Sequence, residues 1–149
     1  MDKVPKRIKL ASIYRDLMDR YEGFLIFPFR DPVHYQIAGL LLSMGYLFLT
    51  SYVAKAVLIM VILILDWYDG AAARKFHMTS KAGWMTDVTV DRLSEGFIIM
   101  AEIAHPIGKM LMLLFVANIF LSFYSVRTGK HYVMPLRFLC VLLLLFRII

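Results

Sequence analysis

Cysteine is almost missing from this chain: Cys140 is the only one in 149 residues. A single thiol excludes a disulfide framework and a thiolate metal site built within one chain. Cys140 itself lies inside an apolar run and reads as a small packing or lipid-facing residue. The sequence also lacks an internal repeat, a low-complexity tract and any composition break that would mark a second domain, so residues 1–149 read as one domain. The first thirty residues are charged throughout and offer no short apolar core ahead of a small-residue cleavage site. That argues against a cleavable leader and makes the first apolar span the expected targeting signal. Acidic residues are scarce, 11 against 17 Lys and Arg.

What the chain has in abundance is apolar surface. Hydrophobic residues make up 60% of it, against about half in a soluble domain, which predicts an all-α integral membrane protein. Five runs are long enough to cross about 30 Å of hydrocarbon: residues 34–51, 53–68, 88–105, 107–126 and 132–149. Pro106 marks the break between the third and fourth. Ahead of them, within residues 1–31, Ile8, Leu10, Ile13, Tyr14, Leu17, Met18, Tyr21, Phe24 and Leu25 recur at helical intervals among Lys9, Arg15, Asp16 and Arg20. This pattern predicts an amphipathic helix lying in the interface.

With the N-terminus inside, all of the 17 Lys and Arg residues except Lys55, Lys109 and Arg147 fall on the cytoplasmic side, as basic residues do in membrane proteins. The net charge of +6 is then a topology signal together with attraction to anionic lipid, and no nucleic-acid partner is implied. The expected setting is the cytoplasmic membrane, or an endomembrane in a eukaryote, with the N-terminus facing the cytoplasm.

Against this apolar background four aspartates stand out. Asp66 and Asp69 are three apart at the inner end of the second span, and Asp87 and Asp91 are four apart at the inner start of the third. Both spacings put the pair on one helix face. Two antiparallel helices can therefore gather four carboxylates around one or two hard cations. Oxygen ligands without His or Cys suit Mg²⁺ or Mn²⁺ better than Zn²⁺. Gly70, Ala71, Ala72 and Ala73 follow directly and leave a nearly bare helix surface for a ligand.

The frame Asp66-x2-Asp69-Gly70-x2-Ala73-Arg74-x8-Gly83-x3-Asp87-x3-Asp91 resembles the CDP-alcohol phosphotransferase (CDP-alcohol phosphatidyltransferase) family, and every fixed position of that pattern is filled. The resemblance implies a helical membrane enzyme, usually of six spans and often a homodimer. Such enzymes transfer a substituted phosphate from a CDP-linked donor to an alcohol and release CMP. It further implies two divalent cations, Mg²⁺ or Mn²⁺, on Asp66, Asp69 and Asp87, with Asp91 as the base and a possible further ligand. Gly70, Ala73, Arg74 and Gly83 would lie against CDP beside Asp66, Asp69 and Asp87. A short-chain member would use a CDP-lipid donor, CDP-diacylglycerol or an ether counterpart such as CDP-archaeol, among the membrane lipids. This sequence shows five apparent spans where the family norm is six.

The other polar residues are read more plainly. Arg92, Arg127, Lys130, His131 and Arg137 share the expected cytoplasmic side and could bind the phosphate of an acceptor such as inositol phosphate or glycerol phosphate, or serve topology alone. His77 reads as a solvated loop residue. Glu95 is expected beside Arg92 or the metals, and Glu102 in a structural pair with Arg147. Trp67, Tyr68, Phe76 and Trp84 read as an interfacial belt. Two other functions stay open: an inactive descendant of the enzyme, and a divalent-cation carrier, against which the absence of acidic residues in mid-bilayer speaks.

Overall fold

The computed structural model describes residues 27–128, 132 and 134–146. The helical part of the expected amphipathic segment, together with Lys130, His131 and Arg147, lies outside them. Among the described residues the chain is all helix with no strand: α1 (Val33–Gly45), extended by a 3₁₀ turn (Tyr46–Phe48), α2 (Tyr52–Lys75), α3 (Lys81–Ala101), α4 (Pro106–Thr128) and α5 (Leu136–Leu145). Two of these, α2 and α4, are long and apolar enough to cross a membrane, while α1 with its 3₁₀ extension and α5 are shorter apolar helices. Large apolar side chains such as Phe48, Val53, Leu113, Phe120, Phe123 and Phe146 point outward, as they would into lipid.

Helix ends differ from the hydropathy limits for local reasons. The second apolar run was expected to stop at residue 68, yet α2 continues through the aspartates to Lys75, because Ala71, Ala72 and Ala73 are strong helix formers. It ends in a Schellman cap, with Met78 N–H on Ala73 O at 2.8 Å and His77 N–H on Arg74 O at 3.2 Å. His77 takes the left-handed position, φ 57°, where glycine is usual. The third helix starts at Lys81, ahead of the apolar run expected from residue 88, because the Ser80 side chain caps it by accepting from Gly83 N–H at 3.0 Å. The last helix spans 10 residues, about 15 Å, and is shorter than the run expected over 132–149.

Helix α1 packs on both α2 and α3, α5 packs on α2, and α3 packs on α4, while α2 and α3 are not themselves a closely packed pair. All five helical segments meet in one core through residues such as Ile59, Ile62, Ile98, Leu111 and Leu144. Lipid tails are as apolar as leucine, so burial of apolar groups drives helix association weakly here. Close packing and interhelical hydrogen bonds of about 0.6 kcal/mol each matter more. Ser43 and Ser94 join α1 to α3 at 2.5 Å. At the opposite end of α3 the Glu102 carboxylate accepts from Tyr46 Oη and Lys55 Nζ, each at 2.7 Å. Glu102 is thus in a structural pair with Lys55, which sits on the first turn of α2 facing the end of α3; the expected partner Arg147 is outside the described residues.

Pro106 begins α4, and Gly108 lets that helix start tightly against the preceding turn. A Cβ at position 108 would lie 1.7 Å from the Glu102 carbonyl oxygen. Gly108→Ala is therefore expected to force the 102–105 turn away and to lower the unfolding free energy by about 1–3 kcal/mol. His77→Gly should raise it by about 1 kcal/mol by relieving the left-handed backbone. Thermal unfolding of the two variants in detergent checks both signs.

Candidate active site

The register of α2 against α3 sets the aspartates in two rungs. Asp66 lies within hydrogen-bonding range of Asp91, and Asp69 within range of Asp87. Because the two helices are not closely packed, the carboxylates occupy the gap between them. Ligand oxygens of Asp66, Asp69 and Asp87 all lie within 4.8 Å of one another. At that separation two unit charges repel by about 3 kcal/mol at an effective dielectric near 20, so the arrangement calls for positive charge.

Part of that charge comes from the protein. Arg137, on the first turn of α5, is buried and hydrogen bonds to Asp91, with Nη1 also 3.8 Å from Asp66 Oδ2. At the other rung the neutral side chain of Gln36 lies beside Asp69. Among the described residues the cavity thus holds four carboxylates and one guanidinium. The remaining demand fits a hard cation: an octahedral Mg²⁺ or Mn²⁺ with bonds near 2.1 Å holds oxygens about 3 to 4.2 Å apart, so a small side-chain adjustment closes the three aspartates on it. Asp91 lies outside this triad.

A cavity of about 260 Å³, counting space open to solvent, surrounds the cluster. Its walls come from four helices: Tyr35, Gln36, Gly39 and Leu40 of α1, Ile62 of α2, Val90 and Ser94 of α3, and Arg137 of α5, in addition to the four aspartates. Segment 27–30 is fastened beside it. Phe29 and the Tyr35 hydroxyl exchange two hydrogen bonds, Phe29 N–H to Oη at 3.1 Å and Oη to Phe29 O at 2.9 Å. Phe27 packs edge-on against Tyr68 and Phe76, and Lys75 lies 4.6 Å over the Phe27 ring. Tyr68 and Phe76, expected as part of an interfacial belt, thus hold this segment on the end of α2.

The remaining expected residues divide. Gly70 and Arg74 are together, since a Cβ at Gly70 would lie 3.3 Å from Arg74 Nη1. Ala71 and Ala72 are fully buried, so the surface expected to be bare is open only at Gly70 and Ala73. Gly83 lies on the capping turn of α3, where a Cβ would approach the Ser80 hydroxyl at 3.2 Å. Of the five basic residues considered for an acceptor, Arg137 is the one among the described residues that lines the cavity. Arg92 Nη1 lies 2.8 Å from Glu95, Arg127 is exposed at the end of α4, and Lys130 is outside the described residues. Sequence reasoning missed Gln36, Tyr35 and Ser94. A lone amide in the first apolar run was the available signal for Gln36; the other two gave none.

Helices with outward apolar faces and an all-carboxylate cluster at one end define a helical membrane protein built around an anionic centre. The family model for CDP-alcohol phosphatidyltransferase matches residues 35–147, and the chain belongs to that family of membrane transferases of phospholipid synthesis. No curated protein and no solved structure matches the chain. The family uses divalent cations, and the Asp66, Asp69 and Asp87 triad has the geometry to hold one.

Asp69 is the most enclosed of the four aspartates, at 4% exposure. Asp69→Asn should weaken Mn²⁺ binding about tenfold or more, whereas Asp91→Asn, outside the triad, should weaken it less. Titration of free Mn²⁺ by electron paramagnetic resonance measures both, and equal losses would place Asp91 among the ligands.

Proposed function

We propose that this protein transfers a phosphatidyl-type group from a CDP-lipid, CDP-diacylglycerol or its ether counterpart, to the hydroxyl of a small alcohol, releasing CMP. The observation that carries the reading is the division of the cluster into a cation-compatible triad and a fourth carboxylate, Asp91, bound to Arg137. Donor and acceptor chemistry need these two functions separately. Asp66, Asp69 and Asp87 would hold a divalent cation, which would supply positive charge for the CDP pyrophosphate.

The chain's own groups supply the rest. Asp91 takes the proton of the attacking hydroxyl as the new oxygen–phosphorus bond forms and the bond to the CMP oxygen breaks. Arg137 orients Asp91 and offers charge to an acceptor phosphate, which favours an alcohol such as inositol phosphate or glycerol phosphate. Arg127, from the exposed end of α4, and Lys130 attract the same acceptor by longer-range charge, and Arg92 supports the site through Glu95. Gly70, Ala73, Arg74 and Gly83 border the CDP moiety. In this reading the apolar segments lie in the membrane, α2 and α4 crossing it in full and the 10-residue α5 reaching part of the way, with the N-terminus and the cluster on the cytoplasmic side, residues 1–31 in the interface, and two copies associated. Carriage of a cation finds no support, because the deeper acids Glu95 and Glu102 are already paired with Arg92 and Lys55.

Purified protein given CDP-diacylglycerol, Mn²⁺ and a panel of alcohols should release CMP with the matching acceptor only. Excess EDTA should abolish release. Asp91→Asn keeps the shape of the side chain but cannot accept the proton, so kcat should fall by about 10²- to 10⁴-fold while CDP-lipid affinity largely survives. Turnover within about tenfold of the parent would remove Asp91 as the base.

A further inference from the structure

Asn118 is a lone amide in the middle of α4, fully buried and flanked in sequence by Phe115, Val116, Ala117, Ile119 and Phe120. An amide at that depth is costly unless it is bonded. Its bonds lead to one place. Nδ2 donates to Met134 O at 3.1 Å, and Oδ1 accepts from Met134 N–H at 2.9 Å. A peptide N–H can only donate, so the pairing also fixes which way the amide faces. The second Nδ2 hydrogen goes to Glu95 Oε2 at 3.2 Å. Glu95 is in turn held by Arg92 and contributes its negative charge at Arg137.

Met134 lies just ahead of α5, and its carbonyl also accepts from Leu136 N–H at 2.9 Å. Arg137 is the next residue. The peptide that Asn118 clasps is therefore the one from which α5, and with it the guanidinium on Asp91 and Asp66, is launched. The geometry points to Asn118 as a positioning residue: by clasping the Met134 peptide and Glu95 it sets the start of α5 and holds Arg137 in its pair with Asp91. Arg137 has a long side chain with several rotatable bonds, and burial alone does not choose its direction. A fixed helix start does. The consequence for turnover rests on the transferase reading, whereas the clasp and its effect on the ion pair do not.

The experiment is a double-mutant cycle on the full chain in detergent, read first by thermal unfolding without metal or substrate. Asn118→Leu fills the same space without hydrogen bonds, and Arg137→Met removes the guanidinium. If Asn118 acts through Arg137, adding Arg137→Met to Asn118→Leu produces less than half of the shift in Tm that Arg137→Met produces alone. Additive shifts would overturn the proposal, because independent structural contributions add. Should Asn118→Leu fail to fold, Asn118→Ser, which keeps one hydroxyl, carries the same cycle with the same two outcomes.

The second reading is CMP release. Asn118→Leu should lower kcat about tenfold to a hundredfold, as misplaced catalytic groups do, with the CDP-lipid KM changed less than about threefold. Combined with Arg137→Met it should lower kcat no further than Arg137→Met does. A loss confined to the CDP-lipid KM would overturn the positioning role. If the parent releases no CMP with any acceptor, the transferase reading fails while the thermal cycle still decides the clasp.

Discussion

Carboxylates facing one another across a gap between two helices are the constraint on which the rest of this structure depends. Asp66 faces Asp91 and Asp69 faces Asp87, and each close approach would drive α2 and α3 apart unless something else set their separation. Helix α1 does so by packing on both, and α5 brings Arg137 to the Asp91 and Asp66 rung. The bundle holds an arrangement that its own charges oppose. A divalent cation, of the kind the family uses, would relieve that strain, so the same electrostatics that make the site costly to build would give it affinity for a metal.

Both glutamates and Ser43 deeper in the bundle have partners within the protein. Glu102 is closed off by Tyr46 and Lys55, Glu95 by Arg92 and Asn118, and Ser43 by Ser94. Glu95 and Glu102 thus each face a cation of their own, whereas Asp66 and Asp91 share Arg137. Where lipid surrounds the helices, such bonds also decide how they meet, since apolar surface discriminates poorly between a neighbouring helix and an acyl chain.

Legibility from sequence followed periodicity. The aspartates were legible because three- and four-residue spacings fix a shared helix face whatever the surroundings, and the break at Pro106 because proline acts on its own local backbone. Helix ends were less legible: hydropathy marks where a helix enters lipid, not where Ser80 caps it or where His77 closes it. Gly83 illustrates a different limit. It belongs to the aspartate pattern, yet its nearest neighbour in space is the Ser80 hydroxyl of the capping turn, which spacing alone does not reveal. Glu102 shows the same limit, because complementary charge suggested a partner on another helix but not which one.

Composition and local spacing therefore determined the helical membrane class, the order of the apolar segments and the identity of the four carboxylates, since each depends only on neighbours within about two helical turns. Tertiary structure alone decided which carboxylates form a rung, that Arg137 rather than Arg92 enters the cavity, that Gln36 stands beside Asp69, and that Asn118 holds the start of α5. These contacts join residues far apart in the chain. Their physical basis is the register and separation of packed helices, for which a one-dimensional pattern carries no term.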